Sequence, residues 1–212
     1  MKRVIIGWVL LLSLTVFFSP SSVEAVISLD FVPSSQIVTV GGSAEVGIKI
    51  SGLGDLIAPS LGTYDITIAF NPAVLAFNSV VYGDPILGDQ LDLFSLGSLT
   101  GTTPGVGSVN LFELSFDTVD DLNNLQAADF ILATLSYDAI GVGISPLTFS
   151  AVLLGDANGD ALTATTSNGS VTVESAVTAL VPEPSTMVLV ALGLWLLAWN
   201  RARLFPNNNL FP

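Results

Sequence analysis

Apolar residues return at every second position through the middle of this 212-residue chain, and that period decides what the segment can fold into. Val46, Ile48 and Ile50 alternate with Glu45, Gly47 and Lys49, and Tyr64, Ile66, Ile68 and Phe70 alternate with Asp65, Thr67 and Ala69. Successive side chains of a strand point to opposite faces, so the pattern describes strands with one face buried and one wet. Comparable runs at 27–31, 36–40, 76–82, 109–116, 130–137, 147–154 and 170–174 bring the expected strand count to about nine. Gly41-Gly42, Asn71-Pro72, Gly83-Asp84-Pro85 and Gly155-Asp156 mark turns between them. Only 120–128 reads as helical, for a turn or two. Many short strands with Gly and Pro turns predict an all-β architecture of two packed sheets, a sandwich or jelly roll. The segments 52–62 and 83–107 read as long loops, where binding residues tend to lie.

The two ends of the chain have a different character. Met1-Lys2-Arg3 is a basic start, 4–18 is apolar, and Val23-Glu24-Ala25 places small residues at the two positions a signal peptidase reads. Residues 1–25 are therefore expected to be a signal peptide cleaved after Ala25. No cysteine follows the apolar run, which argues against a lipoprotein anchor, and none occurs elsewhere, so export brings no disulfide. At the other end, Val181-Pro182-Glu183-Pro184-Ser185-Thr186 precedes the apolar run 187–199 and the basic stop Asn200-Arg201-Ala202-Arg203. Both prolines lack an N–H and fix φ, so a helix can begin only after Pro184. Its apolar run reaches roughly 20 Å, against roughly 30 Å for the hydrocarbon core of a bilayer. Snorkelling by Arg201 and Arg203, and Trp195 and Trp199 at the headgroup level, would let it serve as a single membrane helix.

This order of a Pro-Glu-Pro hinge, a short apolar helix and a basic stop resembles the PEP-CTERM signal. The resemblance implies an exosortase as partner, with Pro182, Glu183 and Pro184 as the sorting motif. It further implies a protein anchored in the inner membrane and destined for the cell surface or extracellular matrix. The chain then divides into a signal peptide at 1–25, a domain at 26–180, a sorting segment at 181–204 and an uncharged tail at 205–212, which runs on further than such signals usually do.

Between the two addresses the charge is one-sided. All the Asp and Glu except Glu24 and Glu183 lie within 26–180, where Lys49 is the only cation. That balance argues against nucleic acid and anionic headgroups as partners of the domain. A monomer is expected.

The order of Val40-Gly41-Gly42-Ser43, Tyr64-Asp65, Asn71-Pro72-Ala73-Val74-Leu75, Val80-Val81-Tyr82-Gly83-Asp84, 130–135 and Asn168-Gly169-Ser170-Val171-Thr172-Val173 resembles a cohesin domain. The resemblance covers nearly all of 26–180 and implies a nine-stranded jelly roll related to carbohydrate-binding modules. Cohesins bind dockerin modules through one sheet face. No residue of such a face is assigned here by the resemblance.

The chemistry available to the domain is narrow. Without His or Cys there is no Ser-His-Asp or Cys-His site and no His or Cys zinc site. Carboxylate pairs remain for a glycoside hydrolase, Asp120 with Asp121 or Asp84 with Asp89 and Asp92, though adjacent loop carboxylates are more often solvated. Asp156-Ala157-Asn158-Gly159-Asp160 places oxygen ligands as in the opening of a calcium loop, giving Asp156, Asn158 and Asp160 as a candidate metal site. Ala161 and Ser167 stand where that loop wants Gly and a bidentate Glu, and Asn-Gly is equally a hairpin signal. Carbohydrate binding favours exposed rings, yet Trp8, Trp195 and Trp199 all lie in the addresses, and Tyr64, Tyr82 and Tyr137 fall within strands. The leading expectation is a non-catalytic binding or structural module, bound to a surface protein or exopolysaccharide. A polysaccharide-binding module comes next and a carboxylate hydrolase last.

Overall fold

The computed structural model describes residues 26–176 and 186–204. Ala25, the Pro182-Glu183-Pro184 motif and the 205–212 tail lie outside the described residues. The chain divides into two compact units after Ser175.

The first unit is a β-sandwich, as the alternation predicts, with twelve strands among the described residues rather than nine. They are β1 (Ser28–Val32), β2 (Ser35–Thr39), β3 (Ser43–Ser51), β4 (Leu61–Ala69), β5 (Leu75–Tyr82), β6 (Leu99–Gly105), β7 (Ser108–Leu114), β8 (Phe130–Ala139), β9 (Gly143–Asp156), β10 (Ala161–Leu162), β11 (Thr165–Ser167) and β12 (Gly169–Glu174). The three additional strands are β6, β10 and β11. β6 occupies part of the segment expected to be loop, and Pro104 within it is tolerated because β6 lies at a sheet edge, where a missing N–H interrupts no ladder. A short helix, α1 (Val119–Leu125), stands where 120–128 was expected, with Thr118 as its N-cap accepting from Asp121 N.

One sheet has five strands in the order β11-β1-β3-β8-β5; the other has seven, running β2-β12-β9-β4-β7-β6 with β10 paired to β9. Most neighbours are antiparallel, but β1 pairs β11 and β2 pairs β12 in parallel. The first two strands of the domain are thus each zipped to one of its last two.

The inner faces meet in a single core. From the five-stranded sheet come Leu29, Phe31, Val46, Ile48, Ile50, Leu135 and Tyr137, and from the other Tyr64, Ile66, Ile68, Val109, Leu111, Leu147, Val171 and Val173. Each fully buried aliphatic side chain contributes about 1.5–3 kcal/mol, and without a disulfide this burial is the principal stabilising term. Large faces small across the β3–β8 ladder, Ala44 opposite Tyr137 and Ile48 opposite Ala133. Phe31 stacks on Phe149 at 4.3 Å between centroids, and Tyr137 meets Phe70 and Phe77 edge-on.

Four register shifts keep the apolar side inward where the sequence changes phase. In β8 the inward set runs Phe130 and Leu132, then Ala133, Leu135 and Tyr137, and the β3–β8 register slips at that step. β9 changes from Leu147 and Phe149 to Val152 and Leu154 where the β4 register slips past Ser150. β5 changes from Leu75 and Phe77 to Val80 and Tyr82 at Asn78, and β4 from Leu61 to Tyr64 at Gly62. A β-bulge adds one unpaired residue and so moves every later side chain to the other face.

The second unit contains one described element, helix α2 (Thr186–Leu204), 19 residues long. Its side chains from Val188 to Arg201 are exposed, and the Trp195 and Trp199 rings lie 5.3 Å apart. Among the described residues no helix is long and apolar enough to cross a membrane. The membrane helix expected from the sequence is therefore a helix but not an unaided span, because its apolar run ends at Trp199 and its final turns carry Asn200, Arg201 and Arg203.

Tyr137 carries a cost within the core. It is fully buried and its hydroxyl has no hydrogen-bond partner. Tyr137→Phe is expected to leave packing intact and raise unfolding free energy by about 1 kcal/mol, measured by urea denaturation, whereas Leu135→Ala should lose about 2–5 kcal/mol.

Candidate functional site

Three connections converge at one end of the sandwich: 52–60 between β3 and β4, the strap 83–98 between β5 and β6, and 115–129, which carries α1. Buried polar side chains hold them together. Gln126 is 1% exposed and acts as a surrogate strand: its Oε1 accepts from Leu61 N at 2.6 Å, and its Nε2 donates to Leu61 O and Gln90 O, each at 2.9 Å. Gln90, also buried, accepts from Ala127 N and donates to Leu87 O. Ser60 donates to Asn123 Oδ1, Leu93 N donates to Asp117, and Gly52 N donates to Asp129. Leu91 fills the core between these pins.

Of the carboxylates considered as catalytic pairs, Asp84 and Asp92 are occupied with backbone N–H groups. Asp84 Oδ1 accepts from Ile86 N and Leu87 N, and its Oδ2 accepts from Ile131 N. Burial alone would raise the pKa of Asp84, but these three N–H groups hold it below the usual carboxylate value. Asp92 accepts from Gly97 N, and Asp121 accepts from the hydroxyl of the α1 cap, Thr118. Asp120 and Asp121 lie in the exposed first turn of α1, where negative charge suits the helix dipole.

Asp89 is different, because it faces a second carboxyl, that of Glu113. Glu113, on β7, is fully buried on the inner face of the sandwich. It accepts from Tyr64 OH at 2.9 Å and Ser98 Oγ at 2.7 Å, and Asp89 lies close enough to share a hydrogen bond. Burial chiefly, and then Asp89, push the Glu113 carboxyl up to about 7, against the lowering effect of the two hydroxyls. Tyr64 is raised by burial and by Glu113. Tyr82 closes the cluster from the opposite sheet, its hydroxyl bonded to Gly101 O and Thr102 Oγ1. One sequence signal pointed here: Glu113 shares the parity of Val109 and Leu111, so the alternation that makes β7 a strand also turns Glu113 inward.

The residues named for calcium form the turn joining β9 to β10. Asp156 Oδ1 accepts from Asn158 N and Asp160 N, while Asp156 N donates to Asp160 O. These bonds close the turn. Asp156, Asn158 and Asp160 provide suitable oxygens but fewer than the six to eight that calcium takes. Among the described residues no three His, Cys, Asp or Glu side chains gather to hold a metal.

On the outer face of the five-stranded sheet, Glu45, Ser79, Val81, Thr134 and Ser136 line a shallow groove of about 340 Å³, bordered by Tyr82 and Asp84. Asn78 and Asp138 are hydrogen-bonded on the neighbouring strands β5 and β8. The three tyrosines do not contribute a flat ring to either sheet, since Tyr64 and Tyr137 are buried and Tyr82 is half-buried.

Removing Gln126 leaves buried backbone groups of Leu61 and Gln90 unpaired. Gln126→Ala should therefore lower stability by about 2–4 kcal/mol in chemical denaturation, more than Asn124→Ala on the exposed face of α1. Asp156→Ala should cost about 1–2 kcal/mol in either the presence or the absence of calcium. A calcium-dependent rise in Tm that this substitution abolishes would assign an ion to the turn.

Residues 180–202 match the PEP-CTERM protein-sorting motif. None of the curated proteins matches the sequence. Solved structures do match the β-sandwich. A non-cellulosomal cohesin from the hyperthermophilic archaeon Archaeoglobus fulgidus aligns with a TM-score of 0.53 at 18% identity, over 71% of this chain and 93% of that one. A type I cohesin–dockerin complex from Clostridium thermocellum aligns with a TM-score of 0.56 at 12% identity, over 72% and 96%. A cohesin module of a family 33 glycoside hydrolase from Clostridium perfringens aligns with a TM-score of 0.55 at 15% identity, over 72% and 99%. The chain thus joins a β-sandwich with the cohesin fold to a PEP-CTERM protein-sorting motif.

Proposed function

We propose that this chain is an exported, non-catalytic binding module delivered to the cell surface or exopolysaccharide matrix by its tail. The observation that carries the proposal is the joining of a cohesin fold to a sorting motif in one chain. The backbone hydrogen bonds of Asp84 and Asp92, and the bond of Asp121 to the Thr118 hydroxyl, support a non-catalytic domain, because these carboxylates already hold turns and the start of α1.

In this proposal the signal peptide is removed after Ala25, and α2 holds the domain at the inner membrane. Arg201 and Arg203 remain on the cytoplasmic side, where basic flanks collect. The short apolar run needs local thinning of the bilayer and snorkelling by these arginines. An exosortase then recognises Pro182-Glu183-Pro184 and cuts near it, freeing the acidic domain outward.

The partner proposed for the domain is a surface protein, bound on the outer face of the five-stranded sheet around Glu45, Ser79, Val81 and Thr134. The Clostridium thermocellum relative in fold was solved as a cohesin–dockerin complex, which supports a protein partner over a glycan. Polysaccharide binding has less support, because no tyrosine offers an exposed ring on either sheet.

Cell fractionation with an antibody to the domain tests the sorting. The expected result is a surface or medium form that begins at Val26 and lacks the tail by mass spectrometry. Replacing Pro182-Glu183-Pro184 by three alanines should keep the protein full-length in the membrane. A wild-type protein found only full-length in the membrane, unchanged by that replacement, would refute it.

A further inference from the structure

The surroundings of the buried carboxyl of Glu113, at the edge of the sandwich, are unusual in one respect. Everything titratable that faces Glu113 is acidic: Tyr64 from β4, Tyr82 from β5 and Asp89 from the strap. Thr100 pairs opposite it on β6 and is uncharged. Lys49, the only cation in 26–180, stands on β3 in the other sheet, in a position that alternates with the buried Ile48 and Ile50 and so points outward. A fully buried carboxylate beside a second carboxylate, with no cation to balance them, is a costly arrangement. One proton held between the two carboxyls removes that cost and supplies a hydrogen bond.

The strap is built so that this proton matters to it. Both Asp89 and Ser98, which contact Glu113, belong to the strap or end it. The strap also docks closely on the end of β5. Gly83 has φ +85°, and a Cβ there would meet Asp89 Cα at 2.9 Å, so Asp89 is seated directly against the chain where the strap begins. Two residues further on, Leu91 is 1% exposed in the core. The side chains displayed outward are apolar, with Ile86 91% and Leu96 77% exposed.

We propose that the strap 83–98 is a proton-operated latch: one proton shared by Glu113 and Asp89 closes it, and loss of that proton frees it from the edge of the sandwich. Release uncovers Leu91 and the gap between β5 and β6 that Tyr82 bridges. The sign follows from the geometry. The closed strap favours protonated Glu113, whereas the open strap lets water solvate the carboxylate and returns it to its ordinary value of 4.5. Closure is therefore strongest below about pH 4.5, weakens as pH rises towards about 7, and changes no further above that.

Hydrogen–deuterium exchange of residues 26–180, which contain the whole buried core, reads the latch directly. After correction for intrinsic exchange, protection of the strap amides should fall about tenfold per pH unit between about 4.5 and 7 and then level off. Amides of the β3–β8 ladder should show no such slope. Glu113→Gln keeps the shape and, with one hydroxyl turned to accept from the new NH2 group, the contacts, but it cannot ionise, so its strap protection should be independent of pH. A wild-type strap with no pH slope, or a Glu113→Gln slope equal to that of the wild type, overturns the proposal. Should Glu113→Gln fail to fold, carboxyl-carbon NMR titration of the wild type and Asp89→Asn decides. Glu113 is expected to titrate near 7 and to move down in Asp89→Asn, and an ordinary glutamate value in the wild type overturns the latch.

Discussion

Two sheets can bury one face each only while every strand keeps the same side turned inward, and a single-residue slip of phase exposes everything beyond it. The domain meets this constraint with local corrections rather than with perfect alternation. Each register shift in β4, β5, β8 and β9 coincides with the point at which the sequence changes parity. Pairing and pattern therefore agree strand by strand, which is the consistency that selects one fold over its slipped alternatives. With no cysteine in the chain, no disulfide adds to that specification.

The acidity of the chain acquires a structural meaning in the loops. With almost no cations nearby, its carboxylates find their partners in main-chain N–H groups. Asp84, Asp89, Asp92, Asp117, Asp129 and Asp156 each accept from at least one such group. Side-chain oxygens that bond the backbone a few residues away compete with regular structure and shape turns instead. Much of the negative charge thus shapes loops. The strap differs because one of its carboxylates also reaches inward and meets a second.

Strand positions were legible because alternation is a local signal, and all nine expected strands are present. β10 and β11 are too short to show a period, and β6, Leu99-Thr100-Gly101-Thr102-Thr103-Pro104-Gly105, has two glycines and a proline where a strand signal needs β-branched or aromatic residues. Its strand state is imposed by pairing along β7. The polar cluster was only half legible: parity turned Glu113 inward, but nothing local brings Asp89 or Gln126 to it from distant loops. The sorting segment could be recognised because its parts follow one another directly along the chain. The groove on the outer face of the five-stranded sheet is assembled from β3, β5 and β8 and leaves no comparable trace in sequence order.

The parallel pairs β1–β11 and β2–β12 place the beginning and end of the domain side by side. Such contacts span nearly its entire length, and loop-closure entropy opposes them until the last strand is available. A nascent chain emerging amino end first therefore cannot finish either sheet while residues 165–174 remain on the ribosome or inside the translocation channel. Its open strands keep it threadable, and the last step of folding coincides with arrival of the segment next to the tail.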